Sequence, residues 1–398
     1  MVTKSNGTTS SLPKVGLVLT GGGARAAYQV GVLRAIAGML PNPAHNPFPV
    51  ICGTSAGAIN ATSLAVSANH FGEAVRQLEA VWSNFHVNQI HRSDLVGVLN
   101  NSARCFFSLF SNDPDNQQAV SLLDNSPLEV LLKHRIPFRG ISRSIHSGAL
   151  HALGITAWGY TSGQSVTFYQ GASGVMPWKR AQRIGIAVPI GVNHLIASAS
   201  IPFIFPATKL NREYFGDGSM RQMAPISPAL HLGAEKVLII GVHKAATTTA
   251  NRIKVTGYPP LAQIAGHVMN SIFVDSLDVD LERLQRINKT LKLIPPETLR
   301  ENNSLLRPIA SMIISPSQEI NEIALQHAQT LPPVMRFLYR AVGAMGPRGS
   351  TLLSYVLFEA PFCQALIDLG YHDTVQRKEE ILQFIGIKEA PINVLSDY

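Results

Sequence analysis

An α/β fold on a mainly parallel sheet is predicted by three observations. Short apolar runs alternate with segments of helical spacing through the first 245 residues. Glycine clusters stand where such runs pass into helices. The 398 residues are 46% apolar and only 15% charged, which supplies a large core and excludes intrinsic disorder. Beyond residue 250 the pattern turns helical. The expected organisation is a disordered tail over residues 1–12, an α/β domain over 13–250 and a helical C-terminal region over 251–398.

Residues 15–20 form a continuous apolar run of strand length. Three glycines follow at 21–23, and residues 24–40 then place Tyr28, Val32, Leu33, Ile36 and Leu40 at helical spacing. Residues 48–52 read as a second strand, 53–57 as a tight turn, 58–68 as a helix of small residues and 71–85 as an amphipathic helix. Residues 86–126 read as an irregular insertion around Phe106, Phe107, Leu109 and Phe110, which suit a lid, a membrane-contact loop or plain packing under a loop. Residues 150–161 and 165–170 read as a hairpin, 209–211 and 213–215 as another, and 236–242 as a further buried strand. Helices are expected at 260–287, 317–329, 351–358 and 362–385. The mixed charges from Asp275 to Lys292, Asp280 included, read as a solvated helix face.

Residues 184–208 carry no formal charge and are long enough to cross a membrane. Pro189, Pro202 and Pro206 interrupt them, and Asn193 and His194 sit in the middle, so a buried, broken segment is expected instead. The polar start of the chain has no signal-peptide core behind it, which points to a cytoplasmic protein without a transmembrane helix. Cys52, Cys105 and Cys363 are too far apart for a disulfide framework or a zinc motif, and no metal site is expected.

Three glycine turns carry the chemistry. Gly21-x-Gly23-x-x-Ala26 has the form of a dinucleotide fingerprint, but no Asp or Glu precedes Glu73 to hold a ribose, and no Gly-Lys-Ser/Thr follows. A nucleotide-dependent oxidoreductase is therefore disfavoured. What remains is a run of backbone N–H groups at a helix start with Arg25 beside it, either an oxyanion hole or an ordinary turn. Gly53-Thr54-Ser55-Ala56-Gly57 is G-x-S-x-G between a strand and a helix. That context suits a nucleophile elbow, with a helix-capping serine as the alternative. A serine needs a base. None of the 13 histidines stands in a motif, whereas Gly216-Asp217-Gly218 presents a small acid on a turn. An Asp serves directly if a dry site raises its basicity.

Taken together, these blocks resemble the patatin-like phospholipases, serine lipid acyl hydrolases with a Ser–Asp dyad. The carriers are Gly21-Gly22-Gly23-Ala24-Arg25-Ala26, Gly53-Thr54-Ser55-Ala56-Gly57, Ala197-Ser198-Ala199-Ser200-Ile201-Pro202 and Asp217-Gly218-Ser219. They span about residues 14–245. Ala26 stands where the family has glycine, and Ser219 where it has Gly or Ala; Ala26 is expected inside the helix, and Ser219 to hydrogen-bond near Asp217. The resemblance implies a three-layer α/β/α core, Ser55 as nucleophile and Asp217 as base. It also implies an oxyanion hole from Gly21, Gly22, Gly23, Ala24 and Arg25, Gly53 and Gly57 shaping the elbow, no cofactor, and a phospholipid or other fatty-acyl ester as substrate. An acyltransferase using the same acyl-enzyme and a non-catalytic lipid-binding scaffold are the alternatives.

Lys plus Arg is 33 against 25 Asp plus Glu, a net charge of +8. Residues 130–212 hold Lys133, Arg135, Arg139, Arg143, Lys179, Arg180, Arg183, Lys209 and Arg212 and no acid. No nucleic-acid-binding signature accompanies them. This segment is a candidate for peripheral contact with an anionic membrane surface, or else a set of basic residues scattered over several faces.

Overall fold

The computed structural model describes residues 13–90, 121, 123–244, 258–302 and 306–387. The expected tail, Cys105 and the patch Phe106, Phe107, Leu109 and Phe110 lie outside the described residues.

The first half of the chain builds β1 (Val15–Leu19), α1 (Ala27–Met39), β2 (Val50–Thr54), α2 (Ala56–Ala65) and α3 (Phe71–Trp82). Two helices follow, α4 (Ser126–Arg135) and α5 (Arg139–His146), then the hairpin β3 (Ala152–Gly159) and β4 (Ser165–Gly171). The uncharged stretch becomes the end of β6 (Arg183–Ala187, paired with β5, Trp178–Arg180), a loop through Pro189, and α6 (Val192–Ala199). A second hairpin, β7 (Thr208–Leu210) and β8 (Glu213–Asp217), precedes α7 (Ser227–His231) and β9 (Lys236–Ile240). The C-terminal part holds α8 (Leu261–Phe273), α9 (Asp275–Leu291), α10 (Pro296–Glu301), β10 (Ala310–Ile314), α11 (Ile320–Gln326), α12 (Pro333–Ala341), α13 (Ser350–Val356), α14 (Ala360–Val375) and α15 (Lys378–Ile385). No single helix among the described residues is long and apolar enough to cross a membrane.

Strand order is β10-β9-β1-β2-β3-β4-β6-β5, and the first five are mutually parallel. Period-2 alternation divides the buried side chains between the two faces. Leu17, Leu19, Ile51, Leu153, Ile155, Leu238 and Ile240 enter one core with α1, α2 and α3, whereas Val18, Val50, Cys52, Val237 and Ile239 enter the other beneath α7 and α9. A buried polar chain ties the first layer together. The Trp82 indole donates to Asn60 Oδ1 (2.9 Å), Asn60 Nδ2 to Gln29 Oε1 (2.9 Å), and Gln29 Nε2 to the Thr20 carbonyl (2.8 Å).

The C-terminal part departs from its expected pattern: the helix expected over 362–385 divides into α14 and α15 at Gln376 and Arg377, and α10 and α12 form where no helix is expected. A strand, β10, adds to the sheet beside β9; a five-residue apolar run among helices carries no periodic signal to separate it from a helix. The helix expected at 260–287 breaks at Val274, because Met269 and Phe273 bury in the first core and Leu277 and Leu284 in the second. Asp280 does not belong to the solvated face: it is buried, accepts a hydrogen bond from the Ile226 amide (3.1 Å), and burial raises its pKa.

Candidate active site

β3 brings two distant turns together. Along one edge it pairs in parallel with β2, up to Thr54 opposite Thr156. One residue further along the same edge, Ala157 pairs with Asp217, the last residue of the antiparallel β8. β2 and β8 thus meet head to head on β3, and Ser55 and Asp217 leave the sheet at that junction. Both are buried.

Ser55 has φ 56° and ψ −130°, a left-handed conformation that side chains disfavour, at the point where β2 turns sharply into α2. The turn closes tightly enough that a Cβ on Gly53 would run into the Gly57 carbonyl, and it packs so close to β1 that one on Gly57 would strike the Leu19 carbonyl. Asp217 receives the Ser219 amide on Oδ1 (2.9 Å), while Oδ2 is buried with no hydrogen-bond partner among the described residues. Desolvation pushes its pKa up to about 6, and the nearby Ser55 hydroxyl, then the Ser219 amide and hydroxyl, restrain the rise. Ser219 therefore does meet Asp217.

The glycine turn lies alongside. Gly23 has φ 54°, and a Cβ there would strike the Tyr355 carbonyl, so this approach to the chain is open to glycine alone. The Arg25 amide bonds back to the Gly22 carbonyl (3.1 Å) and begins a 3-10 turn over Gly23–Ala26. The amides ahead of it are the ones such a turn leaves unpaired. Gly21 abuts Ser219 and Phe273, and Ala26 is already in helical conformation. The Arg25 side chain points elsewhere. Its guanidinium lies 3.8 Å over the Tyr355 ring and donates to Ser354 Oγ (2.9 Å) and Asn321 Oδ1 (2.8 Å). It fastens the turn to α11 and α13, and burial lowers its pKa. The turn, the elbow and Asp217 are thus brought together; the Arg25 cation is held against the C-terminal helices.

A cavity of about 540 Å³ opens on Gly23 and Ser55 and runs between apolar walls that include Ile59, Leu78, Leu128, Ile204 and Phe358. That volume suits a ligand of drug or acyl-chain size. Arg135 is the one charged side chain among its described lining residues. Ile90 and Leu123, from the two ends of the insertion, also line it. Tyr355 and Phe358 also line it, although nothing local in the sequence marks a C-terminal aromatic as a wall of a site built about 300 residues earlier. Among the described residues, no three His, Cys, Asp or Glu side chains gather as a metal set. The nine basic residues of 130–212 fall on α4 and α5, the terminal strands β5 and β6, and the β7–β8 hairpin.

A glycine turn, a strained serine and a buried aspartate meet at the end of a mostly parallel sheet in an α/β protein. The chain belongs to the patatin-like phospholipase family, whose model matches residues 17–230, just over half of its length. A segment of 77 residues is 39% identical to a cUMP-AMP-activated phospholipase of Escherichia coli, covering 19% of this chain and 22% of that protein. The chain therefore matches about a fifth of that relative's length. Among solved structures, VipD from Legionella pneumophila is similar at a TM-score of 0.36 and 11% identity, over 92% of this chain and 67% of VipD. The complex of SpcU with ExoU from Pseudomonas aeruginosa is similar at a TM-score of 0.26 and 15% identity, over 94% of this chain and 80% of the matched one. Neither structural likeness is close enough to bear on activity.

Proposed function

We propose that the protein is a lipid acyl hydrolase acting on phospholipid, lysophospholipid or a related fatty-acyl ester, with Ser55 as nucleophile and Asp217 as general base. The observation that carries this is the head-to-head junction on β3, which sets a strained serine beside a buried carboxyl whose Oδ2 has no hydrogen-bond partner among the described residues. Family membership and the apolar cavity support the substrate class.

In this reading the acyl chain lies in the cavity and the ester carbonyl rests over the glycine turn. Ser55 Oγ attacks the carbonyl carbon as its proton passes to Asp217 Oδ2. The oxyanion is held by the amides of Gly22, Gly23 and Ala24, with donors of this kind worth about 3–4 kcal/mol each. Gly21 and Arg25 shape and anchor that turn, and Gly53 and Gly57 the elbow. The tetrahedral species collapses to an acyl-enzyme, and the leaving alcohol takes the proton from Asp217. Water, deprotonated by the same carboxylate, then releases the acid. The dry setting lets an aspartate work without a histidine, because burial raises its basicity toward the working range.

The test is labelling with a fluorophosphonate and turnover of an acyl-ester panel by the wild type, Ser55→Ala and Asp217→Asn. Near-complete loss of both readouts is expected for Ser55→Ala and a loss of about 100-fold or more for Asp217→Asn. A Ser55→Ala protein that labels and turns over like the wild type overturns the proposal.

A further inference from the structure

We infer that Ser198 is a positioning residue for Ser55, and that the short segment 198–200 sets the spacing between the two arms of the site; the inference rests on the Ser55–Asp217 reading. Ser198 is fully buried near the end of α6. Its Oγ accepts a hydrogen bond from the Ser55 amide (2.9 Å) and donates to the Thr156 carbonyl of β3 (2.6 Å). Two residues on, the Ser200 carbonyl accepts from the Asp217 amide (2.8 Å). One end of one helix thus holds the main chain of both Ser55 and Asp217.

A buried helical serine has an easier partner, the carbonyl four residues back. Ser200 takes it, its Oγ bonding the Ile196 carbonyl at 2.8 Å. Ser198 does not, and reaches two other elements instead. The reason lies in the sheet. The β2–β3 ladder ends at Thr54, and the Ser55 amide, where the chain turns out of the strand, meets Ser198 Oγ, which in turn bonds the Thr156 carbonyl of β3. A buried amide without a partner is costly. The single Ser198 proton goes to Thr156, so a lone pair is left to face the Ser55 N–H. That bond holds the strained φ of Ser55 and, through it, the direction of Oγ toward Asp217. It also takes the Ser55 amide out of reach of an oxyanion, which leaves that role to the glycine turn.

The experiment compares Ser198→Ala, Ser198→Thr and Ser198→Cys with Thr62→Ala, using fluorophosphonate labelling rate, kcat and KM on a soluble ester, and Tm. Thr62 is equally buried but bonds the Ala58 carbonyl of its own helix (2.8 Å), so it controls for loss of a buried hydroxyl. Ser198→Ala is expected to lower kcat and the labelling rate by about 10–100-fold with KM within about threefold, the effect of a nucleophile held out of line. Ser198→Thr, which keeps the hydroxyl, recovers part of the loss. Ser198→Cys, close to serine in size with a weaker donor, falls between them and supplies the reading if Ser198→Ala does not fold. Labelling at the wild-type rate in folded Ser198→Ala or Ser198→Cys, or a loss no greater than in Thr62→Ala at equal Tm, overturns the inference. A wild-type rate in Ser55→Ala brings down the dyad reading itself; a dead Ser55→Ala beside a normal Ser198→Ala brings down this inference alone.

Discussion

The proposed reaction places its proton transfer on one buried carboxyl, Asp217. Its pKa near 6 means that this carboxyl is ionised above that pH and protonated below it. In the proposed mechanism kcat/KM should rise about tenfold per pH unit up to about 6 and then level off, as a pH profile on a soluble ester would show. Stability moves the other way. The folded chain keeps a proton that the unfolded chain releases near pH 4, so stability falls as pH rises from about 4 to about 6, by a total of order 3 kcal/mol. Asp217→Asn removes that charge and is expected to raise Tm at pH 8 while activity is lost; an unchanged or lower Tm would count against a desolvated carboxylate there. Asp217 and Ser55 were readable from motifs, because glycine on either side of a small reactive residue is a local signal. Ser198 lies in the segment Ala197–Pro202, but its part in the site depends on which carbonyl its hydroxyl meets in the fold.

At the scale of elements, the glycine turn is held from behind. Arg25 joins it to α11 and α13, and the Tyr355 ring lies between the guanidinium and Phe273, stacked on the latter at 5.2 Å. A lysine keeps the charge but neither the planar stack nor the forked donors. Arg25→Lys should therefore cost about 1–3 kcal/mol, seen as a lower midpoint in urea, and slow labelling of Ser55 as the turn loosens. Wild-type labelling would separate Arg25 from the turn's function. The strands and the first helices follow from apolar periodicity because each satisfies its own spacing. The break at Val274 could not be foreseen, since residues 261–291 carry one helical pattern and the two halves part only to reach opposite faces of the sheet.

On the scale of the whole molecule, the cavity is a joint product of distant segments. Ile59 and Leu78 come from α2 and α3, Leu128 from α4, Ile204 from the turn after α6, and Phe358 from the loop before α14. A larger side chain on this wall should shorten the acyl chain that fits. Leu128→Trp is expected to lower kcat/KM for long-chain esters by about tenfold or more while sparing short-chain esters. An equal loss for both lengths would remove the cavity from the substrate path. The same long-range assembly gives the sheet its β10 edge and places the Phe358 wall beside Glu359, whose buried carboxylate takes the Val87 amide (3.2 Å) and His86 Nδ1 (3.0 Å).

Local sequence determined the alternation of strand and helix and the three glycine turns that single out Ser55 and Asp217 as candidates, because conformational freedom at glycine and apolar spacing are properties of neighbours in the chain. The meeting of β2 and β8 on β3, the hold of Ser198 on the elbow, the turn of Arg25 away from the site and the cavity wall came from packing. Each joins residues tens to hundreds of positions apart, and burial and the pairing of every buried polar group decide such contacts across the whole fold.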